Sequence, residues 1–166
     1  MVRFLHSCIL KTMKNFNFLL TISLFAIVLS CVSTQSTIKN IDNKAIKPAL
    51  ANKHFVLAEK STDSKYGYNK DYPINVGFEN ETFSLKNITY FFNALAGPQG
   101  EKITFNKSGD CCPFPTKRSS MGAGTLLIYD VSFEGKSEKK TLYFNVFEKG
   151  KILCPTGFSI KKQDGL

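Results

Sequence analysis

The chain has 166 residues, 22 Lys and Arg against 13 Asp and Glu for a formal net charge of +9, 43% hydrophobic residues and no Trp. That length holds one domain, since single cores take roughly 100–200 residues, and 15 Phe with 6 Tyr at 21% charged residues is too apolar for a disordered chain. A (β/α)8 barrel, which takes about 250 residues, is excluded at this length.

The first element is a targeting segment. Phe18 to Leu29 is an uncharged apolar run of 12 residues, preceded by Lys11 and Lys14 and followed by Ser30 and Cys31. It falls short of the about 20 apolar residues that a bilayer span needs. Its basic, apolar and small-residue zones are those of a secretory signal, so residues 1–30 are set aside from the fold. Met13 opens a stretch of ordinary signal proportions and is the expected true start, which leaves His6 and Cys8 outside the product. Val28-Leu29-Ser30-Cys31 resembles the lipobox of bacterial lipoproteins. The resemblance implies cleavage before Cys31 and diacylation of its thiol, and several acyl chains at about 0.8 kcal/mol per buried CH2 make a stable anchor.

Loss of the signal removes Arg3, Lys11 and Lys14 and takes the net charge from +9 to +6. The remaining lysines are dispersed, without an Arg cluster or an aromatic RNA-binding motif, so no nucleic-acid partner is expected. A solvated lysine surface of this kind suits the neighbourhood of anionic headgroups.

Residues 31–64 are rich in Ser, Thr, Asn and Lys and read as a flexible tether, with one short strand or turn at His54-Phe55-Val56-Leu57. The compact domain is expected at 65–166, as an α+β fold: a small antiparallel meander covered by one helix. Pro73 to Phe78 predicts a short strand. Thr82 to Leu95 places Leu85, Ile88, Phe92 and Leu95 at helical spacing and stops before Gly97-Pro98, which favours a helix, while its β-branched and aromatic content leaves a strand as the alternative. Lys102 to Asn106 predicts a strand, and Ser108 to Gly124 a loop. Thr125 to Phe133 alternates, with Leu127, Tyr129, Val131 and Phe133 on one face and Asp130 and Ser132 on the other. After a polar turn, Glu134 to Lys139, Thr141 to Glu148 returns as its partner, and Ile152 to Cys154 gives a last short strand.

In an exported chain a disulfide is the default for Cys111, Cys112 and Cys154. Adjacent cysteines rarely bond to each other, because the usual Cα separation of about 5.5–6 Å exceeds the roughly 3.8 Å between neighbours. Cys111 or Cys112 is therefore expected to join Cys154. The closed loop of about 43 residues would contribute on the order of 3–4 kcal/mol on the chain-entropy account. One cysteine is left over, to serve as a buried small hydrophobe, a redox or partner-linking thiol, or a metal ligand.

No other constellation commits to chemistry. Three Cys without a CxxC spacing or a nearby His are too few for a tetrahedral metal site, and a Cys-His nucleophile would have to recruit His54 from the tether. Glu79 with Glu81, or Asp110 with Asp130, are conceivable carboxylate pairs that no spacing demands. Met121-Gly122-Ala123-Gly124 lacks the Lys and Ser/Thr of a phosphate loop and reads as a turn. No catalytic residue, metal or cofactor is expected. Sequons at Asn80, Asn87 and Asn106 would matter only in a eukaryotic secretory pathway.

Several short motifs spread over Tyr66 to Phe158 go together: Tyr66-Gly67-Tyr68, Pro73-Ile74 with Val76-Gly77, Phe92-Asn93-Ala94-Leu95 followed by Gly97-Pro98-Gln99-Gly100, Cys111-Cys112-Pro113-Phe114, Gly122 to Gly124, and Leu142-Tyr143 with Asn145. In these the chain resembles a family of short, uncharacterised envelope lipoproteins of Bacteroidota-type bacteria. It departs from that pattern at Asp110, where Ser is usual. Some members carry the label 2-dehydro-3-deoxyphosphooctonate aldolase, an activity that belongs to a large cytoplasmic barrel and fits neither this length nor an export signal.

Two function classes follow. The first is a noncatalytic, membrane-anchored envelope lipoprotein, placed in the outer membrane facing the periplasm and meeting an envelope protein or glycan. The second is an enzyme: a thiol-based redox protein using an unpaired Cys111 or Cys112, with the labelled aldolase disfavoured.

Overall fold

The computed structural model describes residues 36–161; the expected signal peptide and Cys31 lie outside the described residues. In chain order the elements are β1 (Leu50–Ala51), β2 (His54–Phe55), β3 (Ile74–Asn75), α1 (Glu81–Asn93), β4 (Leu95–Ala96), β5 (Ile103–Pro115), β6 (Ala123–Phe133), β7 (Lys139–Asn145) and β8 (Ser159–Ile160). The fold is α+β, as its periodicities predict.

The main sheet has the order β3-β7-β6-β5. Strands β5, β6 and β7 form an antiparallel meander, and β3 joins it in parallel beside β7, pairing Ile74 with Phe144 and Asn75 with Asn145. The alternation of β6 sends Leu127, Val131 and Phe133 into the main core, where they meet Leu142 and Phe144 of β7. One helix closes this face. Asn80 caps it, its side-chain oxygen accepting from the Phe83 amide at 3.1 Å, which satisfies one of the amides that a helix start leaves open.

The helix buries Ser84, Asn87, Ile88, Phe91 and Phe92. Its apolar stripe is thus rotated from the expected one: Leu85 is 43% exposed, and Leu95 leaves the helix to pair with Ile160. The two consecutive phenylalanines decide the rotation, because Phe92 stacks on Phe105 with centroids 4.1 Å apart while Phe91 meets Phe144 edge-on at 5.5 Å.

Three further expectations are corrected. The loop reading of Ser108 to Gly124 fails because β5 runs on to Pro115, leaving only a short turn before Ala123. The expected strand at Ile152 to Cys154 reduces to one bridge between Lys60 and Cys154. The flexible-tether reading of 31–64 does not hold for its described part. Ile38, Phe55, Leu57 and Ser61 are buried, and β1–β2 is a hairpin turned by Asn52 and Lys53, both at positive φ. Average composition hid this: Ile38, Phe55 and Leu57 are placed at contacts, and the Asn40 side chain bonds to the residues that open β3.

Those bonds give the sheet a second covered face. Lys39 donates its amide to the Asp71 carbonyl and Asp42 to that of Lys149, each at 2.8 Å. The Asn40 side chain donates to the Pro73 carbonyl at 2.8 Å. Residues 36–42 thereby lie over Leu126, Phe114 and Tyr143, with Ile38 and Ile41 packed among them. We call this the outer face.

Candidate functional site: a cystine-lined pocket on the outer face

Two irregularities in β5 build the site. From Ile103 to Lys107 the strand pairs in step with Phe133 to Tyr129, so Ile103 and Phe105 face the helix. Between Lys107 and Gly109 the register slips by one residue, after which Cys111 lies opposite Leu126. Side chains alternate along a strand, so one extra residue moves everything beyond it to the other face. Cys111 consequently shares the outer face with Leu126 and Phe114, whereas Cys154 sits in the helix-side core.

The second slip falls between Cys111 and Phe114. Here Cys112 adopts φ 56°, a left-handed conformation that non-glycine residues rarely take. Cys111 and Cys112 are disulfide-bonded to each other, their Cα atoms 3.7 Å apart, and Cys154 is free and buried. The expected bridge from Cys111 or Cys112 to Cys154 is therefore corrected. Generic Cα spacing argued against a neighbour bond, but the bulge puts the vicinal pair on one face and Cys154 on the other.

The pocket above the cystine has a volume of about 300 Å³. Ile38, Phe114 and Leu126 supply its apolar floor, and Cys112 and Pro113 one wall. Thr37, Lys70 and Asp71 line the remaining side, where the Lys70 ammonium pairs with Asp71 at 2.8 Å. Gly124 seats the aromatic end of this face: a Cβ there would fall 2.5 Å from the Phe147 ring and 3.1 Å from that of Phe114.

Cys154 has the opposite character. Its amide donates to the Glu59 carbonyl at 3.0 Å and its carbonyl accepts from the Ser61 amide at 2.8 Å, so the segment read as a tether holds it in a parallel bridge. Burial pushes its thiol up to about 11, with Lys60 pulling weakly the other way. A thiol so placed is protonated and inert at neutral pH, because the thiolate is the nucleophile. Tyr66 beside it is also held above the usual phenol range, chiefly by burial, while its hydroxyl accepts from the Leu153 amide at 3.0 Å.

The other expected candidates are not brought together as pairs. Glu79 binds Lys47 at 3.0 Å, while Glu81 lies in the first turn of α1. Asp110 lies opposite Leu127 and pairs with Lys107 at 2.8 Å, whereas Asp130 receives the Thr141 hydroxyl at 2.8 Å on the other side of the sheet. Among the described residues no three His, Cys, Asp or Glu side chains gather to hold a metal. His54 lies in β2 opposite Ala51. Of the sequon asparagines, Asn80 caps the helix and Asn87 is fully buried, donating to the Val76 carbonyl at 3.0 Å, so Asn87 has no room for a glycan. Sequence reading missed Asn40 and Asn75, and named Asn145 only as part of a motif. The polar Asn145 inside the otherwise apolar stretch Leu142 to Phe147 was the signal that could have marked them.

No protein-family profile, curated protein or solved structure matches this sequence.

Proposed function

We propose that this chain is a lipoprotein of a bacterial envelope, acylated at Cys31 and held in the outer membrane facing the periplasm, whose α+β domain is a noncatalytic interaction module for an envelope protein or glycan. The observation that carries the reading is the position of Cys31, directly after a 12-residue apolar run and Ser30. The resemblance to short envelope lipoproteins points the same way. Docking of residues 36–42 on the outer face suits such a module, since the domain then starts five residues after the acylated cysteine.

Metabolic labelling with an alkynyl fatty acid tests this reading. The wild-type chain should take up label and sediment with membranes, and Cys31→Ser should do neither. Equal labelling of the two would overturn it.

A redox role is the second reading, favoured by the half-buried cystine at the pocket wall. The reactive pair is then Cys111 and Cys112 together, not one unpaired thiol. A dithiol reductant would attack one sulfur, form a mixed disulfide and release the other as a thiolate. Its second thiol would then displace the first cysteine. The cystine gains two electrons and two protons, and the reductant leaves as a disulfide. Rapid exchange with a small dithiol, abolished in Cys111→Ser, would favour this reading over the noncatalytic one. The aldolase label gains no support from the pocket, whose one lysine is already paired with Asp71.

A further inference from the structure

We propose that the tip of the β5–β6 hairpin, with Lys117, Arg118 and Met121, rests on the anionic headgroup layer of the membrane that holds Cys31. The proposal deepens the lipoprotein reading and rests on it.

Chain length sets the distance. Ser36 follows Cys31 by five residue steps, which even fully extended reach no more than about 18 Å. The chain then passes Thr37 and Ile38, which line the same pocket as Cys112 and Phe114. Lys117 follows Phe114 by three residues, at most roughly 10 Å of chain. The end of the hairpin therefore lies on the side of the domain where the anchor attaches, within reach of the same surface.

The tip is built to present its side chains. Its closing bond is from the Thr116 amide to the Gly122 carbonyl at 3.0 Å, and the Thr116 hydroxyl bonds the buried Glu148 carboxylate. Inside the loop, the Arg118 amide donates to Thr116 Oγ1 at 3.1 Å and the Gly122 amide to the Ser119 carbonyl at 3.1 Å. This fixed turn leaves Met121 85% exposed, an apolar side chain with no core of its own. Lys117 and Arg118 are exposed and form no ion pair with an acid among the described residues. Glu148, which the turn reaches through the Thr116 hydroxyl, is buried beneath it and forms no ion pair with either cation. A flexible thioether flanked by free cations matches the boundary between acyl chains and phosphates.

The chain has no Trp, so Met121→Trp supplies a single reporter. The acylated protein is reconstituted in vesicles of phosphatidylethanolamine and phosphatidylglycerol, and in matched vesicles with brominated acyl chains. Ile46→Trp, at a site 89% exposed in a different loop, is the control. The Met121→Trp emission should shift to the blue and lose more than half its intensity to the brominated chains, while Ile46→Trp stays unquenched. Adding Lys117→Gln and Arg118→Gln should weaken docking about fivefold per charge, and molar salt should do the same. Vesicles that float with the protein while Met121→Trp keeps a water-exposed, unquenched spectrum would overturn the docking surface and leave the anchor standing. Protein that does not float with vesicles would remove the anchor and the proposal together. Equal quenching in phosphatidylcholine vesicles would refute the part given to charge.

Discussion

Asn75 donates its side-chain amide to both the backbone and the side-chain oxygen of Asn40, each at 3.0 Å. Asn75 in turn accepts from Asn145 at 2.9 Å, and Asn145 takes the amides of Phe147 and Glu148. Three asparagines thus tie residues 36–42 to two strands and to the turn beyond them. Asn75 and Asn145 are buried, where an unpartnered amide costs about 1–3 kcal/mol.

Asn75→Ala should therefore destabilise the domain by about 2 kcal/mol in chemical denaturation. It should also free residues 36–42 before the sheet melts. Hydrogen exchange at the Lys39 and Asp42 amides, which bond across this junction, should accelerate more than exchange within β6. Equal acceleration everywhere would mean that the segment is not separately held.

Cys154 should resist alkylation in the native protein at neutral pH and react only on unfolding. Its folded-state value near 11 lies above the ordinary 9.0. The neutral thiol is favoured by the fold, so this contribution is complete below pH 9 and is lost as the pH rises toward 11. Cys154→Ala should flatten that part of the alkaline stability curve, read as midpoint against pH. A native thiol modified at the rate of free cysteine would contradict this placement.

Reducing the Cys111–Cys112 cystine should release two thiols and cost little stability, since a bridge between neighbours closes almost no loop in the unfolded chain. A shift of less than about 1 kcal/mol is expected, against the 3–4 kcal/mol of a bridge to Cys154. Cys112→Gly should be tolerated well because glycine accepts φ 56° without strain. Peptide mapping under nonreducing conditions would show directly which sulfurs are joined.

Gly124→Ala should destabilise by about 1–3 kcal/mol, because the added methyl enters the Phe147 and Phe114 rings. Asn80→Ala removes the helix cap and should cost about 1 kcal/mol. The two sites lie at separate elements, so the double variant should lose the sum; thermal or urea unfolding reads all three.

Glu101 is bonded by Lys136 and by the Gln99 amide, which hold its carboxyl down at about 2. The stability this confers is present above the ordinary value of 4.5 and is lost as the pH falls from there toward 2. Lys136→Met should shrink the acid-side loss in that window, read as the unfolding midpoint against pH.

Local pattern determined the helix over 81–93, the alternation of β6 and the return of β7, because period and turn chemistry are carried by residues adjacent in sequence. The lipobox-like stretch at Cys31 is equally local and needs no fold to be read. What only the tertiary structure decided depends on parity and distant partners. One extra residue between Lys107 and Gly109 put Cys111 on the outer face, away from Cys154. Three asparagines far apart in sequence drew residues 36–42 onto that same face. A bulge leaves almost no mark in composition, and a polar segment reads as solvated until its bonding partners are placed beside it.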